Sequence, residues 1–255
     1  MRLKLLGYLP VLIFAVSFVA CSRGGFKTQE SPRGQFDVAM ELYNKNNNFK
    51  SQMAFQRLIY SFPGQTFIDT AQYYLAMSFY NMKDYPEAVT EFRRLLTSYP
   101  TSAFADDAQY QIAMSFYKQS PKYYHDQSDT YDAIDEFSVF LSRYPRSSLK
   151  EEAQARLSEL FDKLAKKLYK SGELYLKLHD YEPALIYFQQ VRDNYPNSEW
   201  ARYAFYYSGE ALRRQGKVSD ALETFQNFVL AFPDSDLAKK AHKKIAKLQS
   251  EQPGG

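Results

Sequence analysis

The 255-residue sequence contains one cysteine, Cys21, so no disulfide within the chain can staple the fold. Histidine is scarce too: His125, His179 and His242 are far apart and on polar, surface-like stretches. HExxH, CxxC, phosphate-binding glycine loops and GxSxG are all missing. Catalysis needs converging groups, and the carboxylates are scattered as solubilising charge, so the sequence predicts no enzyme, no metal site and no cofactor apart from a covalent lipid. Neither sign of charge prevails. Of the 32 Lys and Arg residues, Arg2 and Lys4 precede an apolar start, which leaves 30 from residue 21 onward against 29 Asp and Glu. Such a balance gives no reason to expect a nucleic-acid partner.

Long apolar runs are missing beyond the first twenty residues, and that one, "MRLKLLGYLPVLIFAVSFVA", is broken by Pro10 and too short for a comfortable membrane span. A basic start, an apolar stretch and a small residue before the lone cysteine read as an export signal over 1–20. "FVACS" at 18–22 resembles a bacterial lipobox, which makes Cys21 the lipidated N-terminus after cleavage, with Phe18 in place of the usual Leu. Two acyl chains suffice for stable anchoring. Residues 21–33 are rich in Gly, Ser and polar groups and read as a lipidated tether; twelve extended residues reach about 40 Å.

What the chain has in abundance is repetition. Between Phe67–Tyr80 and Phe104–Tyr117, ten of fourteen positions are identical. Of the prolines that follow an aromatic residue, five recur at repeat spacing: Pro63, Pro100, Pro145, Pro196 and Pro233. Four residues after each stands a large apolar group (Phe67, Phe104, Leu149, Trp200, Leu237), and eight after each stands alanine (Ala71, Ala108, Ala153, Ala204, Ala241). The unit is about 37 residues, in the range of helical solenoid repeats. Proline ends a helix because it pushes the preceding residue out of the α region, and Ser102, Ser147, Ser198 and Ser235 are placed to cap the next one.

Over 32–233 the chain resembles the tetratricopeptide family. Leu75, Ala76, Phe79, Tyr85, Ala88, Phe92, Leu95 and Pro100 fall on its signature positions, as do Gly172, Tyr175, Tyr181, Ala184, Phe188 and Pro196, and then Gly209, Leu212, Ala221, Phe225 and Pro233. Ser51 stands where the pattern has Ala. The expected fold is all-α, a superhelix of five helix pairs closed by a lysine-rich capping helix from about 236 to 249. Repeats one to three form an N-terminal half, 34–145, and repeats four and five with the cap form a C-terminal half, 146–250. Two insertions break the period, a polar loop at 118–129 and a lengthened helix from Leu149 to about Leu178.

Helical geometry puts positions 5, 9 and 12 of each first helix on one face, away from the paired helix and on the concave side. Those positions are Phe36, Met40 and Tyr43; Tyr73, Met77 and Tyr80; Tyr110, Met114 and Tyr117. An aromatic and methionine column suits an apolar, aromatic-bearing peptide, or else packs between neighbouring repeats. In the last two repeats the column reads Tyr169, Glu173, Leu176 and Tyr206, Glu210, Arg213, so the face turns charged. Glu210, Arg213 and Arg214 are candidate partner-docking residues there.

An exported lipoprotein of this length with five such repeats, a loop in the third and a long helix opening the fourth resembles the BamD family, the tetratricopeptide lipoproteins of the outer-membrane β-barrel assembly machinery. "DAIDEFSVFLSRYPRSSLKEEAQARL" (132–157) and "DYEPALIYFQQVRDNYPNS" (180–198) carry much of the likeness. The resemblance implies a non-enzymatic subunit held on the periplasmic face of the outer membrane. Its N-terminal repeats would receive unfolded barrel proteins by their C-terminal aromatic signal, and its C-terminal repeats would dock the periplasmic domains of the barrel-forming subunit beside other assembly lipoproteins. Some members make that contact with a basic residue where Tyr187 stands here, so that contact is not carried over. The alternatives are a tetratricopeptide pilotin or envelope scaffold lipoprotein serving secretion or division, and, from another class, a peptidoglycan hydrolase.

Overall fold

The computed structural model describes residues 31–251. Within them run α1 (Pro32–Asn44), α2 (Asn48–Ser61), α3 (Ile68–Asn81), α4 (Tyr85–Ser98), α5 (Ala105–Gln119), α6 (Ser128–Arg143), α7 (Lys150–Lys177), α8 (Tyr181–Asn194), α9 (Glu199–Arg214), α10 (Val218–Ala231) and α11 (Asp236–Glu251). All the regular structure among the described residues is helical: five antiparallel pairs and a terminal helix, as the repeat pattern requires. The export signal, Cys21 and most of the tether lie outside the described residues. The tether gives way to helix sooner than 33, because Ser31 accepts a hydrogen bond from the Gly34 N–H and Pro32 fits the first helical turn.

Both kinds of turn follow from local chemistry. Between the helices of pairs one, two, four and five, one residue takes a left-handed backbone: Asn46 (φ 56°), Lys83 (φ 64°), His179 (φ 62°) and Gly216 (φ 84°). The next N–H then reaches back five residues, as from Asn47 to the Leu42 carbonyl and from Lys217 to that of Leu212, which satisfies carbonyls the helix end leaves free. At each second helix's end the residue before proline is driven out of the α region, with φ between −125° and −139° at Phe62, Tyr99, Tyr144, Tyr195 and Phe232. Of the four serines placed to cap, only Ser198 takes the N–H three residues on, that of Ala201 in α9. Ser102, Ser147 and Ser235 accept instead from the N–H two residues on, those of Phe104, Leu149 and Leu237.

In every pair a phenylalanine of the second helix lies over a small residue of the first: Phe55, Phe92, Phe137, Phe188 and Phe225 are all fully buried. Each contributes about 1.5–3 kcal/mol by leaving water. Opposite Phe188 and Phe225 stand Gly172 and Gly209, where an added Cβ would come within 2.7 Å of the ring. The departure at Ser51 also has a physical account. Its buried Oγ lies 3.0 Å from Ser78 Oγ, and Ser78 donates to the Tyr74 carbonyl, so the hydroxyl is satisfied between α2 and α3.

The two insertions meet. Twenty-eight residues make α7 about 42 Å long. Its first part packs Ala153 and Leu160 with Phe137 and Phe140, while its second packs Ala165, Tyr169 and Leu176 with α8 and α9. One helix thus closes the third pair and opens the fourth. The loop at 120–127 braces its middle: Lys163 Nζ donates to Ser120 Oγ (2.7 Å), Lys167 Nζ donates to the His125 carbonyl (2.8 Å), and Lys166 Nζ stands 5.0 Å from the Tyr123 ring centre.

Candidate binding face and docking residues

Position 5 of each first helix meets the large apolar residue that follows the next proline. Phe36 lies 5.0 Å from Phe67, Tyr73 stacks on Phe104 at 4.6 Å, and Tyr169 lies 5.1 Å from Trp200, ring centre to ring centre. Tyr110 with Leu149, and Tyr206 with Leu237, share core clusters in the same way. These aromatics therefore lock each repeat to its neighbour. Phe36, Tyr110 and Met114 are buried, so of the candidate groove residues those three pack within the stack and offer no surface to a peptide. Burial pushes the Tyr73 and Tyr110 phenols well above their ordinary range.

The rest of the column keeps contact with solvent. Met40, Tyr43, Tyr73, Met77, Tyr80 and Tyr117 are half-buried. Tyr43 sets its ring 4.9 Å from Tyr74, and its hydroxyl accepts a bond from Asn81. Tyr80 packs edge-on to Tyr85 at 5.4 Å, and burial pushes its phenol up to about 12. In the third repeat α7 comes down on the column: Tyr117 donates to Glu159, and the Arg156 guanidinium lies 5.5 Å over its ring, held by Glu152 and Glu159. The open part of the face is thus the Met and Tyr row of α1 and α3.

At the C-terminal end the charges neutralise one another. Glu173 is bound by Lys170 and Lys177 at 3.0 and 3.1 Å. Glu210, a docking candidate from the sequence, is buried and so not open to a partner; it takes Arg213, Arg214 and, from the last helix, Lys244. Burial alone would raise its pKa, but hydrogen bonds from Arg213 and Lys244 and their charges outweigh it and hold the carboxyl below its ordinary value. Arg213 is half-buried and Arg214 exposed, so of the three docking candidates Arg214 is the freest. Tyr187 stacks on Tyr175 at 5.6 Å.

Sequence reasoning missed the partners of position 5, although a constant 31-residue step links Phe36 to Phe67, Tyr73 to Phe104, Tyr169 to Trp200 and Tyr206 to Leu237. It missed as well a cavity of about 390 Å³ beside the middle of α7, lined by Leu141, Leu157, Phe161, Tyr195 and Asp162 among others. Among the described residues no group of His, Cys, Asp and Glu could hold a metal ion, and no helix is long and apolar enough to cross a membrane.

Stacked helix pairs that present side chains along one face, without a reactive constellation, define a tetratricopeptide scaffold, a class that works by holding other proteins. The tetratricopeptide pattern itself matches residues 203–235. The outer membrane lipoprotein family YfiO matches residues 28–218, three quarters of the chain, and the protein belongs to that family, that of BamD. Both the family and the fold are of a non-enzymatic kind. Comparison with curated proteins finds no match. Among solved structures, the chain is similar to a tetratricopeptide protein from Parabacteroides merdae (14% identity, 88% of this chain and 80% of the other, TM-score 0.37). It is similar also to the TPR2AB domain of yeast Sti1 in its HSP90 complex (11%, 86% and 83%, 0.46) and to the type IV pilus biogenesis factor PilW (12%, 84% and 99%, 0.39).

Proposed function

We propose that this lipoprotein is an assembly factor for outer-membrane β-barrel proteins, anchored by lipid on Cys21 and facing the periplasm. Its N-terminal half receives unfolded barrel proteins by their C-terminal aromatic residue, and its C-terminal half docks the periplasmic domains of the barrel-forming subunit. The family match over 28–218 carries this reading. The half-exposed row of Met40, Tyr43, Tyr73, Met77 and Tyr80 supports the peptide site, since tyrosine offers an aromatic face and a polar end while methionine adapts to shape.

The test is titration of the mature protein with peptides that end in phenylalanine or in serine. Phenylalanine-ended peptides should bind more tightly, and Met77→Ala with Tyr80→Ala should weaken them about tenfold. Equal binding of both peptides would defeat the aromatic-signal reading. For docking, Arg214→Glu should lower recovery of the barrel-forming subunit from detergent-solubilised envelope; undiminished recovery would move the docking surface elsewhere. Cys21→Ala should abolish labelling by a lipid precursor.

A further inference from the structure

The outer face of α2 differs from that of every other second helix. Phe49, Met53 and Tyr60 form one stripe along it and are 64%, 50% and 90% exposed. Thirty-seven residues on, the copy in α4 has Pro86, Thr90 and Thr97 at those positions. Alignment on the prolines puts Tyr131, Asp135 and Ser142 there in α6, Glu182, Ile186 and Asp193 in α8, and Ser219, Glu223 and Leu230 in α10. At those three positions no other second helix exposes more than one large apolar group, and α6 adds only Val139 (40% exposed) to one side of Tyr131. Folding of the pair does not explain the stripe, because α2 packs inward through Ser51, Phe55 and Leu58.

Charge sets the same helix apart. Lys50 and Arg57 are exposed beside the stripe, and α2 contains no carboxylate, whereas α4, α6, α8 and α10 each contain at least two. An amphipathic helix with aromatic and methionine side chains on its outer face, flanked by cations only, matches the chemistry of an anionic lipid surface, where rings enter the headgroup layer and cations pair with phosphates. Position agrees. α1 and α2 are antiparallel, so the α2 end that carries Tyr60 lies beside the start of α1, and only nine residues lie between Cys21 and Ser31. Extended, they span about 35 Å, and Arg23 and Lys27 add further positive charge along them.

We infer that the outer face of α2, through Phe49, Met53, Tyr60, Lys50 and Arg57, rests on the anionic phospholipid surface to which the chain is anchored. The contact makes the first repeat a second membrane attachment and turns the concave face of the superhelix in a set direction relative to the bilayer. It rests on the lipoprotein placement but not on the peptide site.

Vesicle co-sedimentation of the mature chain, 21–255, carrying Cys21→Ser, so that neither an acyl chain nor the apolar signal contributes, tests this directly. The probes are vesicles of phosphatidylglycerol with phosphatidylethanolamine, and vesicles of phosphatidylcholine alone. The protein should bind the anionic vesicles and leave the neutral ones in solution. Phe49→Ser with Met53→Ser and Tyr60→Ser should lose at least about tenfold in binding, and Lys50→Glu with Arg57→Glu should do the same. Val139→Ser with Leu230→Ser, which changes exposed apolar groups elsewhere, should bind as the parent does. Circular dichroism melts of all variants should stay within a few degrees, since every altered side chain is exposed. Absence of binding to the anionic vesicles, or α2 variants that bind as the parent does, overturns the inference. If an envelope protein co-purifies with the parent but not with the α2 variants while vesicles are ignored, the face belongs to a protein and the lipid assignment is wrong. None of these changes touches the concave row, so failure here leaves the peptide titration to stand or fall separately.

Discussion

The Nζ of Lys244 lies 2.9 Å from Oε1 of Glu210, and this bond ties the terminal helix to the first helix of the fifth pair. Arg213 and Arg214 approach the same carboxylate at 3.1 and 3.8 Å, while Glu210 itself is only 5% exposed. A lysine comb on a terminal helix ordinarily reads as a solvated face, but one of its teeth reaches inward.

The tie makes stability depend on acid. Glu210 has its pKa lowered in the folded protein from 4.5, so its stabilisation is complete above about pH 4.5 and is lost as pH falls through the folded value. Glu210→Gln should cost about 1–2 kcal/mol at pH 7, because the three cations are partly exposed and can rehydrate. Thermal melts between pH 7 and pH 3 should bring the two proteins closer together as the pH drops. Parallel curves would remove the carboxylate from the account.

Gly172→Ala and Gly209→Ala should each destabilise by about 1–3 kcal/mol, because the new methyl meets the Phe188 or Phe225 ring at 2.7 Å. Phe188→Leu combined with Gly172→Ala should recover part of that loss in a double-mutant cycle. Urea unfolding midpoints decide it; a rise in stability, as helix propensity alone would give, would mean that the ring yields freely.

At the turns, Gly216→Ala should cost about 1 kcal/mol for conformational reasons only, since its Cβ would meet open space. The opposite change at the equivalent left-handed residues, Lys83→Gly and His179→Gly, should leave stability unchanged or raise it by up to about 1 kcal/mol. A clear loss in either would show that the side chain, not the backbone, matters there.

The column should divide in two under alanine substitution. Tyr110→Ala should destabilise about as much as Phe92→Ala, for which about 3–5 kcal/mol is typical, since both are buried. Met77→Ala with Tyr80→Ala should cost much less, as both remain half-exposed. If that pair melts as low as Tyr110→Ala, the whole column is packing and the peptide face fails.

Much of the fold was legible because its punctuation acts locally. A proline bends the residue before it whatever the context, and alanine or glycine opposite phenylalanine is a requirement within one pair. Pair count, boundaries and the long α7 follow from such residues as Pro100, Ala108 and Gly172. The binding face was only half legible. Tyr73 and Phe104 belong to different repeats, and a pattern that counts positions within a repeat does not say which residues meet between repeats. Glu210 was misjudged for a related reason: on its own helix it reads as surface charge, and the cation that most closely holds it, Lys244, arrives from two helices later.

The passage from the third pair to the fourth has consequences for mechanics. At other junctions the chain leaves one helix, turns, and enters the next, so a few backbone torsions could serve as a joint. Here α7 runs unbroken from its packing against α6 to its packing against α8, with the 120–127 loop buttressing its middle. Force taken up by α8, α9 and α10 passes along a hydrogen-bonded rod to Ala153 and Leu160, and so to α5 and α6. Past the turn at Tyr144–Leu149, α7 itself offers no joint, so its packing against α6 and its packing against α8 shift together as two ends of one rod.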